Sequence, residues 1–352
     1  MNKEVENIIN ELTPLELNKV KRFVDELLNI KPNSRLTNLE YLQKNKKVSC
    51  PNDKNHSIKK NGHWRGTQRY YCKNCKKSFS ITNKSITNKS ILNYNKILNI
   101  LKGFYDYRPL REIALDVGIS TTSLFELQIK IFYTLNEIYK VDKLSEVVQV
   151  DEMYILVSFK GTKKDKMPRK SRKNGINNET AGMGLDHVCV IVAIDSNDNI
   201  ILEISDLCSA NKEQIFKVLD NRIKENSILV TDSKNAYQNF AKKNNLKLVQ
   251  IPSGNHMKDG YTINDVNQIM QEISIYISNK RGVSSKHLQQ HLNFIKYRKK
   301  IKYTIEYLEI NEQMYKDAIL LPISLKSNDV YFIDLPFDID DYVEWHTSHK
   351  RS

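Results

Sequence analysis

The spacing of hydrophobic residues divides the chain into a helical front part and a later part rich in strands. Over residues 1–30 the apolar side chains recur at helical spacing, with a break at Thr13-Pro14. This spacing predicts a helical hairpin. Polar sequence follows, and we expect it to be a linker.

The next segment, from Cys50 to Ser80, is rich in turn residues and leads into the direct repeat ITNKS-ITNKS at residues 81–90. Because the repeat unit occurs only twice, it indicates a linker or a local duplication and not a solenoid. Helical spacing returns over residues 91–139, with interruptions at Tyr107-Arg108-Pro109 and at Gly118.

Around Val147 the pattern changes to short, β-branched apolar runs bounded by turn residues, which predict buried strands. The runs are VVQVDEMYILVSF, HVCVIVAID, IILEIS and SILVTD. An amphipathic helix, NKEQIFKVLDNRIKEN, separates the last two runs, so the pattern predicts a layered α/β domain. After Tyr261 the spacing is helical to about Tyr315, and the final segment is acidic and aromatic.

The charge of the chain points to a polyanionic partner. Lys and Arg outnumber Asp and Glu by 55 to 41, for a net charge of +14 over 352 residues. Nucleic acid is the first candidate for such a partner. No apolar run approaches the ~20 residues that span a bilayer, and the opening MNKEVENIINELTP lacks the layout of a signal peptide. We therefore expect a cytoplasmic protein with no membrane partner.

Three of the five cysteines crowd into one short segment. Cys72 and Cys75 have the C-x-x-C spacing that wraps two thiolates around one tetrahedral Zn²⁺. Cys50 begins a second knuckle, but Asp53 stands where its partner cysteine would fall, and His56 follows. The sequence predicts a structural zinc ribbon with three cysteine ligands and leaves His56 or Asp53 open as the fourth ligand.

The segment LREIALDVGISTTSLFELQIKIF predicts a helix-turn-helix with its turn at Gly118. Ser120 or Thr121 would cap the second helix. One interpretation is that this helix presents polar side chains to a DNA major groove, and the other is simple helical packing. The polar side chains are Thr121, Thr122, Ser123, Glu126 and Gln128.

Two acids, Asp151 and Asp232, stand at the ends of predicted strands. Carboxylates that a sheet brings together are oxygen ligands for Mg²⁺. Ordinary roles stay open for both, Asp151 as a strand-end residue and Asp232 as the N-cap of the next helix. Glu152 would point to the opposite face of the strand, and we interpret it as structural.

From Cys50 to about Lys300 the sequence resembles the insertion-sequence transposases of the ISXO type. The motifs that carry the resemblance are the CP…CxxC ribbon ending in KKSF, LREIALDVGIS, VQVDEMYIL, MPRKSRKNG, HVCVIVAID, ILVTDSKNAYQNFAKKNNL, TINDVN and RGVSSKHLQQHLNF. The resemblance implies a bacterial, nucleoid-associated enzyme of the DDE superfamily. It also implies a catalytic domain with a ribonuclease-H-like fold.

The resemblance implies three metal ligands, which fall on Asp151, Asp232 and Asn267. The third of these positions is Glu in some family members and Asn in others. Asn264, one turn earlier on the same predicted helix face, is the alternative third ligand. The implied reaction is two-metal phosphoryl transfer with Mg²⁺ or Mn²⁺, in which water or a 3′-hydroxyl attacks phosphorus in line. The expected partners are terminal inverted repeats and target DNA, bound by a homo-oligomer.

Several further residues are candidates around this centre. His256, in the loop before the third ligand, matches a family histidine region and is a candidate accessory residue. A run of basic residues lies in a loop between two predicted strands. This loop either contacts DNA or is a disordered charged loop. Others lie past the third ligand and resemble the family's basic turn. The basic residues predicted to contact DNA are Lys163, Lys164, Arg169, Lys170, Arg172, Lys173, Arg281 and Lys286.

The predicted fold class is α/β, a ribonuclease-H-like domain with a mixed sheet flanked by helices, preceded by a zinc ribbon and a helix-turn-helix. The predicted segments are a helical N-terminal region (1–45), the zinc ribbon (46–82), the helix-turn-helix region (83–142), the catalytic domain (143–300) and a C-terminal helix with an acidic tail (301–352).

Two other functions compete with a DNA-cutting enzyme. The first is an inactive or domesticated relative that binds DNA, because Met270 and Ser274 stand where family members usually carry an aromatic residue and a lysine. Asp53 in place of a ribbon cysteine favours the same hypothesis. The second is a zinc-ribbon transcription factor, which would have no need of Asp232.

Overall fold

The computed structural model describes most of the chain. The described residues are 11–13, 16–17, 20, 34–64, 66–88, 90, 92–138, 141–163, 166–169, 184–208, 211–255, 257–304, 310–323 and 325–348. The helical hairpin predicted over residues 1–30 lies outside them, apart from the six residues near the N-terminus. The chain divides into two compact units, Met1–Lys102 with Met314–Pro322 and Gly103–Gln313 with Ile323–Ser352.

The first unit contains a small antiparallel sheet. After helix α1 (Ser34–Asn45) come the strands β1 (Ile58–Trp64), β2 (Thr67–Cys72) and β3 (Lys77–Ser80), which follow one another in space as in sequence. The buried core beside this sheet consists of Cys50, Cys72 and Phe79. A core this small gives little stability of its own, so a metal staple is expected to contribute.

Helix α1 lies where the sequence predicted a linker. Its residues Asn38 and Leu42 are buried. The Asn38 amide donates a hydrogen bond to the carbonyl oxygen of Leu92 at 3.2 Å, and the Tyr315 hydroxyl donates to the Asn38 side chain at 2.6 Å. Because these partners are distant in sequence, the local spacing of apolar residues did not predict the helix or its contacts.

The ITNKS repeat forms two successive turns. Ile81 and Ile86 hold matching positions in the repeat, and both are buried. Ser80 and Ser85 each hydrogen-bond through the hydroxyl to a threonine two residues later, at 2.8 and 3.1 Å. The repeated sequence therefore forms two similar turns, each with one buried isoleucine.

The second unit is built on a five-stranded mixed sheet. Its strands are β4 (Val147–Leu156), β5 (His187–Asp195), β6 (Ile200–Leu207), β7 (Ile228–Asp232) and β8 (Lys247–Ile251), in the spatial order β6-β5-β4-β7-β8. The pairs β4–β5 and β5–β6 are antiparallel, whereas β4–β7 and β7–β8 are parallel. The apolar runs in the sequence predicted β4 to β7 but not the short edge strand β8.

Helices cover both faces of this sheet. Helix α2 (Tyr94–Tyr105) begins in the first unit. Helices α3 (Leu110–Val117) and α4 (Thr121–Leu135) precede the sheet, and α5 (Lys212–Leu219), α6 (Ala236–Lys243) and α7 (Asn264–Asn279) follow its strands. Val148 and Val150 of β4 pack with α5 and α6, and α7 contacts β4 and β5. This mixed sheet flanked by helices confirms the predicted ribonuclease-H-like fold.

Helices α3 and α4 form a tight pair. Gly118 ends α3 with a φ of 69°, a left-handed conformation that favours glycine, and Ser120 caps α4 by accepting the N–H of Ser123 at 3.0 Å. Helix α4 packs along α8 (Leu288–Thr304), where Phe132 stacks on Phe294 with ring centroids 4.1 Å apart. The C-terminal half of α4 is therefore part of the core of this unit.

A cluster around Arg298 ties the start of the helix pair to α7 and α8. The Tyr107 hydroxyl donates to the Glu272 carboxylate at 2.7 Å, and Arg298 forms an ion pair with the same carboxylate at 2.6 Å. The Arg298 guanidinium also lies over the rings of Tyr105 and Tyr107, at 4.5 and 4.4 Å. Such stacked and paired arginines are held in one geometry.

The chain ends with helices α9 (Ile310–Leu320) and α10 (Ile339–Ser348), separated by a short 3-10 turn at Asn328–Phe332. A second 3-10 turn, Ser285–His287, precedes α8. In the part of the chain that is described, none of the helices has the length and apolar character that crossing a bilayer requires.

Candidate active site

The acidic centre lies where strands β4 and β7 separate. Their parallel pairing joins Val147–Gln149 to Ile228–Val230 and ends there, and Asp151 and Asp232 follow just beyond it. Carboxylate oxygens of Asp151, Glu152 and Asp232 all lie within 4.8 Å of one another. The sheet therefore brings together two acids that are far apart in the sequence.

Backbone hydrogen bonds orient the two aspartates. The Asp151 Oδ1 atom accepts the N–H of Glu152 at 2.8 Å, and Asp232 Oδ1 accepts the N–H of Lys234 at 3.1 Å. The helix after β7 has Asn235 as its N-cap, so Asp232 does not have the capping role that was left open for it. Each aspartate keeps its second oxygen for another partner.

The electrostatics of this pocket favour a bound cation. The pKa of Asp151 is raised to about 6, mainly by burial and also by the negative charges of Glu152 and Asp232, against the lowering effects of the Glu152 N–H hydrogen bond and the Lys234 charge. Burial also raises the pKa of Glu152. A divalent cation would relieve this repulsion, and grouped carboxylates are the donor set that Mg²⁺ and Mn²⁺ prefer.

Glu152 is held by other side chains. The Lys234 ammonium lies 3.1 Å from one of its carboxylate oxygens, and the Tyr237 hydroxyl donates to the other oxygen at 2.8 Å. Lys234 also donates to the Tyr154 hydroxyl at 3.3 Å. Neither Lys234 nor Tyr237 was predicted from the sequence; the signal for Lys234 was its position two residues after Asp232.

Helix α7 starts against the strand that carries Asp151. Gln149, two residues before Asp151 and hence on the same strand face, donates to the Asp265 carboxylate at 2.6 Å and accepts the Asp265 N–H at 3.0 Å. Asn264 and Asn267, the two predicted third ligands, lie exposed in the first turn of that helix. Gln149 was also missed from the sequence.

Among the residues predicted to contact DNA, the described ones differ in their surroundings. Lys163 and Arg281 are exposed. Arg169 is already engaged, since its Nε donates to the Tyr342 hydroxyl at 2.8 Å and its guanidinium lies over the Phe159 ring. The Lys286 ammonium contacts the carbonyl oxygen of Tyr331. The predicted residues outside the described part of the chain are Lys164, Lys170, Arg172, Lys173 and His256.

The polar face predicted for α4 is only partly available. Thr121, Thr122 and Ser123 are exposed at its N-terminus. The groove contact expected of Gln128 is wrong, because Gln128 is 1% exposed within the core that α4 forms with its neighbours. Glu126 is half-buried and accepts a hydrogen bond from the Tyr331 hydroxyl at 2.9 Å.

The cysteine segment forms a compact four-residue cluster. Ligand atoms of Cys50, His56, Cys72 and Cys75 all lie within 4.8 Å of one another. The Sγ atoms of Cys50 and Cys75 are 3.8 Å apart, and His56 Nδ1 lies 3.2 Å from the Cys75 Sγ. Two thiolates bound tetrahedrally to one Zn²⁺ at about 2.3 Å are about 3.8 Å apart, so the spacing fits this metal.

The geometry also distinguishes the two residues left open for the fourth position. His56 turns Nδ1 towards the cysteines, while its Nε2 lies 3.5 Å from the Asp53 carboxylate. A metal-ligating histidine commonly donates its other ring N–H to a carboxylate in this way. Burial raises the pKa of the Cys50 thiol, but backbone N–H groups of Asp53 and Asn52 bring it down to about 6, towards the thiolate form that binds metal.

Comparison with known proteins gave one family match. Residues 143–300 match the model of the ISXO2-like transposase domain. No curated protein matches the chain in sequence.

Solved structures of similar chain fold include a pre-cleavage Mos1 transpososome, with 14% identity over 66% of this chain and 80% of that chain and a TM-score of 0.28. A simian T-cell lymphotropic virus intasome in complex with PP2A regulatory subunit B56 gamma has 12% identity over 65% and 78%, with a TM-score of 0.28. The Mos1 strand transfer complex has 14% identity over 66% and 80%, with a TM-score of 0.27.

Proposed function

We propose, from the premise that residues 143–300 are an ISXO2-like transposase domain, that this chain is the transposase of a bacterial insertion sequence and that it cuts and joins DNA by metal-dependent phosphoryl transfer. The observation that carries the proposal is the closeness of the Asp151 and Asp232 carboxylates where β4 and β7 separate. A regulatory DNA-binding protein has no use for two acids at this point, because they repel phosphate.

The proposed site holds its cations through Asp151, Asp232 and the side-chain oxygen of Asn267. When bound, divalent cations activate a water or 3′-hydroxyl nucleophile and stabilise the charge on the leaving oxygen. The chain's own contribution is orientation. The N–H groups of Glu152 and Lys234 fix one oxygen of each aspartate, and Gln149 fixes the start of the helix that carries Asn267.

DNA binding is proposed for the front segments and for the exposed basic residues. The zinc ribbon (46–82) and the α3–α4 region (83–142) would contact the terminal inverted repeats. The N-terminus of α4, where Thr121 and Thr122 are exposed, would attract phosphate, and Lys163 and Arg281 add charge on the catalytic domain (143–300). Tyr331, in the 3-10 turn before α10, contacts α4 through its hydrogen bond to Glu126.

The test is a cleavage and strand-transfer assay of the full chain. Duplexes that carry the element's own terminal repeats are incubated with the protein and target DNA, with Mg²⁺, with Mn²⁺ and without divalent cation. We expect nicking or cutting at the repeat ends and joining to target only with the cation. Tight binding without cutting would instead support the inactive or domesticated relative. If the protein neither binds nor cuts the repeat ends, the proposal is overturned.

Replacing the proposed third ligand should discriminate between the two asparagines of α7. Asn267→Ala should lower the cleavage rate by about tenfold or more, because a neutral amide oxygen is a weaker cation ligand than a carboxylate but still fixes the cation. Asn264→Ala serves as the matched variant in the same helix turn and should cleave at close to the normal rate. The cleavage rates are measured on intact, end-labelled repeat ends, and the opposite ranking would make Asn264 the third ligand.

Stabilisation by Mg²⁺ should depend on pH because of the raised pKa of Asp151. In the folded chain this carboxyl keeps its proton up to about pH 6, whereas in the unfolded chain it ionises near pH 4, so stability is lost as pH rises between these values. Mg²⁺ should reverse that loss. Each pH unit below about 6 costs up to about tenfold in cation affinity, since the proton must leave first.

The measurement is the Mg²⁺-induced rise in melting temperature at pH 5.0 and pH 7.5. We expect a clear rise at pH 7.5 and little at pH 5.0. In Asp151→Asn the difference between the two pH values should shrink. A rise of equal size at both pH values in the unmodified chain would contradict the assignment of Asp151 as a cation ligand.

A further inference from the structure

The pair formed by Glu152 and Lys234 sits between the two aspartates. Both carboxylate oxygens of Glu152 are in use, one by the Lys234 ammonium at 3.1 Å and one by the Tyr237 hydroxyl at 2.8 Å. The Glu152 side chain is only 4% exposed. A carboxylate with both oxygens engaged by donors is poorly placed to be a metal ligand, although it lies within 4.8 Å of the two aspartates.

The same two residues touch the aspartates through their backbones. The N–H of Glu152 donates to Asp151 Oδ1 at 2.8 Å, and the N–H of Lys234 donates to Asp232 Oδ1 at 3.1 Å. The contacts therefore run in one chain from Asp151 through Glu152 and Lys234 to Asp232. Moving either residue of the pair moves the hydrogen bond that orients one aspartate.

The position of this pair in the sheet explains why a link is needed there. The ladder between β4 and β7 ends at Gln149 and Val230, so beyond these residues the two strands no longer hold each other. On the β7 side the turn is fixed by Gln250, whose side chain donates to the carbonyl oxygens of Asp232 and Lys234 at 3.1 and 2.9 Å. The Glu152–Lys234 ion pair joins that fixed turn back to β4.

The charge of the pair also matters for a cation. Lys234 offsets the charge of Glu152, so the net negative charge of the pocket comes from Asp151 and Asp232. An unpaired buried carboxylate would add a third negative charge at high desolvation cost, and an unpaired ammonium would repel the cation.

We propose that Glu152 and Lys234 are positioning residues, which set the separation and orientation of the Asp151 and Asp232 carboxylates for divalent cations without binding the cations themselves. This inference rests on the proposed function. It assigns the spacing of the metal ligands to an ion pair that bridges two separating strands.

The experiment is a double-mutant cycle on the full chain, with Mn²⁺ as the probe. Mn²⁺ affinity and stoichiometry are measured by titration calorimetry and by electron paramagnetic resonance for Glu152→Gln, Lys234→Met and the double variant. We expect each single variant to weaken Mn²⁺ binding by about 10- to 100-fold with unchanged stoichiometry, as for residues that orient metal ligands. The double variant should be weakened by less than the product of the two single effects.

Two further variants separate positioning from folding. Lys234→Arg keeps the positive charge, so this variant should retain most of the affinity for Mn²⁺. If Lys234 only stabilised the fold, the affinity for Mn²⁺ would not depend on whether the charge is kept. Lys243→Met removes an exposed lysine that pairs with Asp220 at 3.5 Å in the same domain, and its affinity should not change. Circular dichroism of each variant reports whether the sheet is intact, and Glu152→Gln, which preserves the shape of the side chain and keeps one acceptor oxygen, remains informative if Lys234→Met does not fold.

Three results would overturn the inference. If Glu152→Gln loses one whole Mn²⁺ ion, Glu152 is a ligand. If Lys234→Met binds Mn²⁺ more tightly, Lys234 is only a repelling charge; if both variants bind normally, the pair does not position the site. If the unmodified chain takes up no Mn²⁺ and does not cut DNA, the proposed function is overturned as well. If the unmodified chain binds Mn²⁺ and cuts DNA normally and the variants do the same, only this inference is overturned.

Discussion

Replacing Asp232 by Asn should reduce DNA cleavage by at least about 100-fold while leaving DNA binding at its normal level. The substitution keeps the size of the side chain and the hydrogen bond from the N–H of Lys234, but it removes a negative charge and one anionic oxygen from the cation site. Asp151→Asn should have an effect of similar size. Binding should persist or tighten, since a pocket with less negative charge repels phosphate less.

The matched control is Asp198→Asn in the turn between β5 and β6. Asp198 is exposed and has a positive φ of 58°, a conformation that asparagine tolerates, so the fold should not change. Cleavage is followed on end-labelled repeat duplexes, and binding by gel shift with the cation omitted. Cleavage by Asp232→Asn within a few-fold of normal would remove Asp232 from the site and with it the two-cation mechanism.

Removing the metal from the cysteine cluster should unfold the small sheet of the first unit. A structural Zn²⁺ contributes about 10–16 kcal/mol of binding free energy in small metal-dependent domains, far more than a core of three buried side chains can supply. We expect one zinc per chain, and loss of that zinc in Cys72→Ser. The measurement is metal content by mass spectrometry, with amide hydrogen exchange over residues 58–80.

Variants of the fourth position sharpen this prediction. His56→Cys should keep the zinc, because four thiolates also bind it tetrahedrally, whereas His56→Ala should release it. Asp53→Asn should weaken zinc binding by about 10- to 100-fold, since Asp53 only orients the ring of His56. Cys208→Ser, outside the cluster, is the control. Full zinc content in both Cys72→Ser and His56→Ala would contradict the proposed site.

Much of the fold could be predicted because its elements carry local signals. The strand runs that flank Asp151 and Asp232 are β-branched and continuous, as buried strands are, and the resemblance to a transposase family confirmed over residues 143–300 rests on motifs around them. Gly118 marked a real helix end for the same reason, since only a left-handed residue closes that turn. The edge strand β8 escaped notice because its burial alternates over only five residues.

What the sequence could not predict depends on contacts between distant segments. The choice between His56 and Asp53 is made by the loop that turns the imidazole towards the cysteines. Gln128 has a polar side chain and was therefore predicted to lie on the exposed face of α4. The packing of α4 against α8 buries it instead. The Glu152–Lys234 pair joins residues on different strands, and no spacing along the chain encodes it.

The cluster of Tyr107, Glu272 and Arg298 has a consequence for how the proposed enzyme measures DNA. The carboxylate and the stacked guanidinium hold the start of the α3–α4 pair against the helices that flank the catalytic sheet, which restrains rotation of the pair about residues 106–109. If α4 binds DNA as proposed, the interval from its N-terminus to the paired aspartates would then be fixed. The number of base pairs between the recognised sequence and the broken bond would be constant for one subunit, whatever the sequence between them.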